Sequence, residues 1–143
     1  MTNKRYKPLF DKLFYITSVL TFILVATPTV VCGIHAPSTL SITLPIFLFT
    51  AYFFISPLFA YAELGEDALF IKYGLMISRS IPYNKIRAIK SERGMTNHSI
   101  LSIKNALVHT NIKYNTFDET TLSLKEMDEF LRELNEKCDR RLL

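Results

Sequence analysis

The side chains able to do chemistry are few in this 143-residue chain, and they are scattered. His35, His98 and His109 are its three imidazoles, and no Cys, Asp or Glu stands beside them at metal-ligand spacing. Ser102, His109 and Asp118 are the residue types of a hydrolytic triad, but the serine sits in no nucleophile elbow and no loop around it suggests an oxyanion hole. With only four glycines, the chain has no glycine-rich phosphate cradle. Cys32 falls late in an apolar run and Cys138 in a helical pattern, so both are expected as unpaired thiols, with no disulfide framework and no zinc set. The expectation is no catalytic residue, no metal, no cofactor and no evident small-molecule substrate.

Two groups of basic residues are more informative. Lys85, Arg87, Lys90 and Arg93, next to Tyr83, are a candidate surface for a membrane or a protein partner. Each basic group held near an anionic leaflet contributes about 1 kcal/mol. The alternative is a solvated strand face, with Glu92 diluting the field. Tyr83, with Pro82, either lines a peptide groove or packs beneath a helix. The second group, Lys4, Arg5, Lys7 and Lys12, precedes the apolar part of the chain and is expected to set membrane topology.

The elements that carry these residues follow from the charge distribution. Leu13 to Ala62 holds no Asp, Glu, Lys or Arg, whereas Glu63 to Leu143 carries 13 of the 17 Lys and Arg and 12 of the 13 Asp and Glu. The boundaries expected are a basic arm (1–12), a first transmembrane helix (13–34), a short extracytoplasmic loop (35–41), a second transmembrane helix (42–62) and a soluble domain (63–143). The first span has 22 residues, about 33 Å of helix, against a hydrocarbon core of about 30 Å. Basic residues flank both spans and are missing from the loop, so both termini are expected in the cytoplasm of a multi-pass cell-membrane protein. The soluble part nets only one positive charge, which argues against nucleic acid as a partner.

A cleaved signal peptide is the rival for the first span. The apolar stretch is too long for an h-region, and Pro37 after Ala36 hinders cleavage. Conduction by the hairpin is not expected, because no charge lies within the spans.

In the soluble part, Ala68 to Ile81 reads as a hairpin around Gly74, taken to supply a positive φ at the turn. Ile86 to Ile89 opens a third strand, and Ser99 to Tyr114 supplies two more joined near Lys104 and Asn105. Ser123 and Glu126 have capping-box spacing, and Leu124, Met127, Phe130, Leu131, Leu134 and Cys138 make the apolar face of a final helix. Antiparallel strands followed by one amphipathic helix suggest an α+β unit, a small curved sheet or barrel plugged by the helix.

These residues also resemble a family. The series Ile81-Pro82-Tyr83-x-x-Ile86-x-x-Ile89, then Ile100-Leu101-Ser102, then Phe130-Leu131-x-x-Leu134 is similar to the YyaB-like bacterial pleckstrin-homology (PH) domains, which often follow two transmembrane helices. The resemblance covers about residues 61 to 138. Lys85 departs from it, since similar sequences often carry an acidic residue there. It implies a membrane α-helical hairpin followed by a strongly bent antiparallel sheet or barrel capped by a C-terminal helix. It implies a module that binds proteins, peptides or membranes. The basic pattern of phosphoinositide-binding relatives is missing after Lys72, so no inositol-lipid specificity is expected. The functional expectation is a non-catalytic, membrane-anchored interaction module whose partners are the lipid bilayer and a membrane-proximal protein. Two alternatives are a self-immunity protein against a membrane-active bacteriocin or antimicrobial peptide, and a regulatory subunit of a transporter.

Overall fold

Asp11 caps the first long helix, α1 (Lys12–His35). Its carboxylate accepts the Phe14 N–H at 3.0 Å and satisfies one of the donors that a helix leaves open at its start. A 3₁₀ turn over Pro37–Thr39 leads to α2 (Leu40–Ile55), and a second 3₁₀ turn, Ser56–Phe59, follows. The computed structural model describes residues 4–94, 102–103 and 106–139. Two stretches in it, Lys12–His35 and Pro37–Phe59, are long and apolar enough to cross a membrane. The helices pack with Phe22 against Phe47, ring centroids 5.4 Å apart. Neither helix buries any residue, so their apolar sides face outward. The second helical stretch ends at Phe59, before the expected Ala62, because the alternating Tyr61–Leu64 is already strand β2.

β2 forms an antiparallel meander with β3 (Ala68–Lys72) and β4 (Ser78–Pro82). Ala62, Leu64, Leu69, Ile71 and Ile81 are buried, and the residues between them are less so, as the two-residue period of a strand demands. A second sheet contains β5 (Ile86–Arg93), β6 (Ser102–Ile103), β7 (Val108–Tyr114) and β8 (Asp118–Leu122), in the order β5-β7-β8-β6. The closing helix α3 (Met127–Asp139) buries Phe130 and Leu134 fully against the core. Each such side chain is worth about 1.5–3 kcal/mol of burial. Met127, Leu131 and Cys138 pack around them.

Three local expectations change. β6 does not pair with β7: it lies parallel to β8, Ser102 opposite Thr121, because β7 already has β5 and β8 on its two sides. The expected join near Lys104 and Asn105 lies outside the described residues. Gly74 does not adopt a positive φ. It is required for contact, since a Cβ there would lie 2.1 Å from Ser56 Oγ. Ser123 does not cap the helix: its hydroxyl donates to the Val108 carbonyl at 3.0 Å and its N–H to the Ile103 carbonyl at 2.7 Å, which extends the sheet.

The largest departure is the N-terminal arm, expected as a segment of its own. Strand β1 (Arg5–Tyr6) pairs antiparallel with β2, Arg5 opposite Glu63 and Tyr6 opposite Ala62. The chain then runs along the connection from β8 to α3. The Lys7 carbonyl accepts from Lys125 N–H at 3.0 Å, Pro8 bridges Leu124, and Leu9 N–H donates to the Ser123 carbonyl at 2.8 Å. Tyr6, 1% exposed, meets Phe130 edge to face at 5.2 Å. The arm therefore joins the two sheets, and the helical hairpin is inserted between β1 and β2 of one folded unit.

Candidate functional site

The structure does not gather Lys85, Arg87, Lys90, Arg93 and Tyr83 onto one surface. Tyr83 lies in a 3₁₀ turn (Tyr83–Lys85) and is 2% exposed. Its hydroxyl donates to the Gly65 carbonyl at 2.8 Å, and the Lys137 ammonium sits 5.8 Å from its ring centroid while donating to that same carbonyl at 2.7 Å. The ring is thus a packing element under α3, and burial raises its pKa above the ordinary tyrosine value. The four basic side chains are exposed, and of them Arg87 and Lys90 line adjoining grooves. A bulge between Ile86 and Ala88 sets Arg87 out of the ladder. Beyond it, strand alternation places Lys90 with Ala88 and Glu92 on the outer side, and Arg93 on the same side as Ile89, which packs on the core.

What the fold does assemble is the outer face of β5, β7 and β8. Across these strands Lys90 stands opposite Asn111, which stands opposite Thr121, and Ala88 opposite Lys113, which stands opposite Glu119. Two adjoining shallow grooves of about 300 Å³ and 290 Å³ share Lys113 and Glu119 as walls; Arg87 and Phe117 line the first, Lys90 and Glu92 the second. Beneath them Thr121 Oγ1 donates to Asn111 Oδ1 at 2.8 Å and Asn111 Nδ2 donates to Glu92 Oε2 at 3.2 Å, which ties three strands together. Cations and carboxylates alternate on this face, so it carries local polarity but no strong net field. Such a pattern suits a protein surface of complementary charges better than a uniformly anionic one.

Phe117 completes the face and was not singled out in the sequence. It is 96% exposed at the β7–β8 tip. Asn115, at φ +54°, turns the chain, and its amide donates to Asp118 Oδ2 at 2.8 Å. The Asn115 N–H donates to the Lys85 carbonyl at 3.0 Å, which fixes the tip against the 3₁₀ turn. An aromatic ring held in water on a braced turn is the type of residue that anchors an interface. The signal available in the sequence was an aromatic residue inside an otherwise polar turn, Asn115-Thr116-Phe117-Asp118.

The basic arm is partly neutralised within the domain. Lys4 Nζ lies 2.9 Å from Glu126 and 2.6 Å from Glu129. The hydrogen bonds to these carboxylates raise the Lys4 pKa, and the one from Lys4 lowers that of Glu129. Arg5 pairs with Glu63 at 3.0 Å and covers the Tyr61 ring at 4.8 Å. Lys7 and Lys12 remain exposed. Asp11 has a second role beyond capping α1: its other oxygen accepts the Leu107 N–H at 3.1 Å, so one carboxylate links α1 to the start of β7.

The residues of the paper triad stand apart. Ser102 lines a cleft beside α2, His109 is buried with Nδ1 3.1 Å from the Leu107 carbonyl, and Asp118 pairs with Tyr114, five positions or about 16 Å along β7 from His109. His98 lies outside the described residues. Among the described residues no three His, Cys, Asp or Glu side chains converge as metal ligands. Cys32 and Cys138 are both free thiols.

No curated protein and no solved structure matches the chain. A family model described as Bacterial PH domain matches residues 61–138, more than half of the chain and the whole of β2 to β8. That match agrees with the two sheets and their capping helix, and PH domains are in general non-catalytic interaction modules. The chain belongs to the bacterial PH domain family.

Proposed function

We propose that the chain is a membrane-anchored interaction module that presents the β5–β7–β8 face and Phe117 to a protein partner at the cytoplasmic surface of the cell membrane. The observation that carries this reading is the pairing of Arg5 and Tyr6 with Glu63 and Ala62 across the inserted helical hairpin. Residues on either side of the two helices share one sheet, so the chain must cross the bilayer an even number of times, and cleavage within the first span would strip β1 from the core. Lys7 before α1 and Lys12 at its first position, together with the uncharged turn between the helices, favour the cytoplasmic side for the domain. The alternation of Lys90, Glu92, Lys113 and Glu119 around an exposed aromatic ring favours a protein over a lipid partner for this face. Anchoring raises the effective concentration of the domain toward anything else in the membrane, to about millimolar for a short tether, so a modest surface suffices.

The test places a photo-crosslinking residue at Phe117 in the full chain, in the membranes of its own cells, and the same residue at Glu66 in the β2–β3 turn. The expected result is a discrete protein adduct from position 117 that disappears when Lys90 and Lys113 are both changed to Glu. The same adducts from both positions, or adducts indifferent to the charge reversal, would remove this face from the function.

A further inference from the structure

The β3–β4 hairpin does not stop where its partner strand begins. Lys72 pairs with Tyr61, the first residue of β2, yet the chain runs on through residues 73–77 before β4 starts. The Tyr73 N–H donates to the Ile77 carbonyl at 2.9 Å and closes this overhanging turn. The overhang reaches back to the last turn of the second apolar segment: Gly74 lies on Ser56, and the Leu75 N–H donates to Ser56 Oγ at 3.1 Å. At its tip stand Leu75, Met76 and Ile77, which are 42%, 82% and 51% exposed. Single exposed apolar residues are ordinary on any protein surface; three in succession on one turn are not.

The helices fix the depth of this tip. Phe22 touches Phe47, and nine residues onward from each, in the same direction along the pair, come Leu13 and Ser56; at about 1.5 Å per residue these sit level with each other. Lys12, beside Leu13, marks the polar edge, whereas Leu58 and Phe59 beyond Ser56 are still apolar and exposed. A tip fastened to Ser56 therefore lies where hydrocarbon gives way to headgroups. Apolar side chains lose water there while basic groups stay among the phosphates, and Lys72 on the hairpin stem is placed to do so.

We infer that the Leu75–Ile77 tip is a third membrane contact, inserted among the acyl chains beside α2. This rests on the reading of the two helices as membrane spans. Two covalent connections alone would let the domain rock over the bilayer; a third point of contact fixes its tilt.

The chain contains no tryptophan, so single substitutions give clean fluorescence signals. The full chain is reconstituted in phosphatidylcholine–phosphatidylglycerol vesicles whose lipids carry bromine at shallow or deep acyl carbons. Phe49→Trp reports the middle of α2, Met76→Trp the tip, and Glu66→Trp the opposite end of the same sheet. The expected result is strong quenching of Phe49→Trp by deep bromines, a comparable loss for Met76→Trp with shallow ones, and none for Glu66→Trp. Quenching at position 49 with water-like, unquenched emission at position 76 would overturn the inference and leave the spans intact. Blue-shifted but unquenched emission at 76 would mean that protein, such as a second copy, covers the tip, and would overturn it too. Absence of quenching at position 49 as well as at position 76 would refute the spans themselves and the inference with them.

Discussion

Replacing Tyr6 by alanine tests whether the N-terminal arm is a working part of the domain. The ring is buried between β1 and α3, with Phe130 edge to face at 5.2 Å and 72°. Truncating a buried aromatic side chain costs about 3–5 kcal/mol, the ring pair included. The hydroxyl works in the other direction. Among the described residues no group meets it at hydrogen-bonding geometry, a situation that costs about 1–3 kcal/mol and that the truncation relieves. Central values leave a net loss of about 2 kcal/mol for Tyr6→Ala, whereas Tyr6→Phe keeps the ring, drops the orphan hydroxyl and gains about 1–2 kcal/mol. For a domain of this size 1 kcal/mol moves the midpoint by about 4–8 °C, so Tyr6→Ala falls by roughly 8–16 °C and Tyr6→Phe rises. The measurement is thermal unfolding of the full chain in detergent, followed by proteolysis of the β-sheet part. An unchanged midpoint for Tyr6→Ala would show that the arm is not packed on the core. A destabilised Tyr6→Phe would show instead that Glu133, whose carboxylate helps burial to push the Tyr6 pKa up to about 12, reaches the hydroxyl as a hydrogen-bond partner.

Gly74→Ala puts a Cβ 2.1 Å from Ser56 Oγ and is expected to cost about 1–3 kcal/mol by overpacking, with protease gaining access at residues 73–77; adding Ser56→Ala, which removes the nearest clashing atom, should recover part of the loss in the same assay. The buried tyrosines predict an alkaline transition. Burial pushes the pKa of Tyr73 up to about 12, despite its hydrogen bond to Thr120, and that of Tyr6 equally, against about 10 in the unfolded chain. Both phenols are protonated in either state below pH 10, so stability there is unaffected. It falls as pH rises from 10 through 12, because the unfolded state loses protons first. Absorbance at 295 nm should therefore show these tyrosines ionising only with unfolding, and early, reversible ionisation of all seven tyrosines would refute the packing.

The apolar hairpin was legible because fifty consecutive uncharged residues leave few other folds open, and α3 because Phe130, Leu131 and Leu134 repeat at helical spacing. The hairpin at Ala68 to Ile81 and the strand from Ile86 were legible from their β-branched residues. The role of the arm was not. Arg5–Tyr6 is too short to show alternation, and its partner strand lies beyond the two apolar spans, a distance over which no local pattern carries information. Ser123 looked like a helix cap because the spacing to Glu126 is correct, but tertiary pairing with Ile103 and Val108 draws it into the sheet. Gly74 was rightly singled out for the wrong reason, since a glycine chosen for close approach looks the same in sequence as one chosen for a left-handed turn. Which of the basic residues share a face was not legible, because a one-residue bulge after Ile86 and a 3₁₀ turn before it change which side each neighbour faces.

The two helices hold different sheets, and this gives the insertion a mechanical consequence. α1 is attached through Asp11, whose carboxylate takes both the Phe14 and the Leu107 N–H and so addresses β7 in the second sheet. α2 is attached through Ser56, which takes the Leu75 N–H and so addresses the β3–β4 turn of the first. The arm pairs in both sheets, with β2 through Arg5 and Tyr6 and with the end of β8 through Lys7 to Leu9, and side chains join the sheets as well: Tyr73 shares a hydrogen bond with Thr120 at 2.7 Å, and Arg79 donates to the Tyr114 hydroxyl. A change in the angle between the helices would therefore load the links between the sheets: the Tyr6–Phe130 packing and the Tyr73–Thr120 and Arg79–Tyr114 hydrogen bonds.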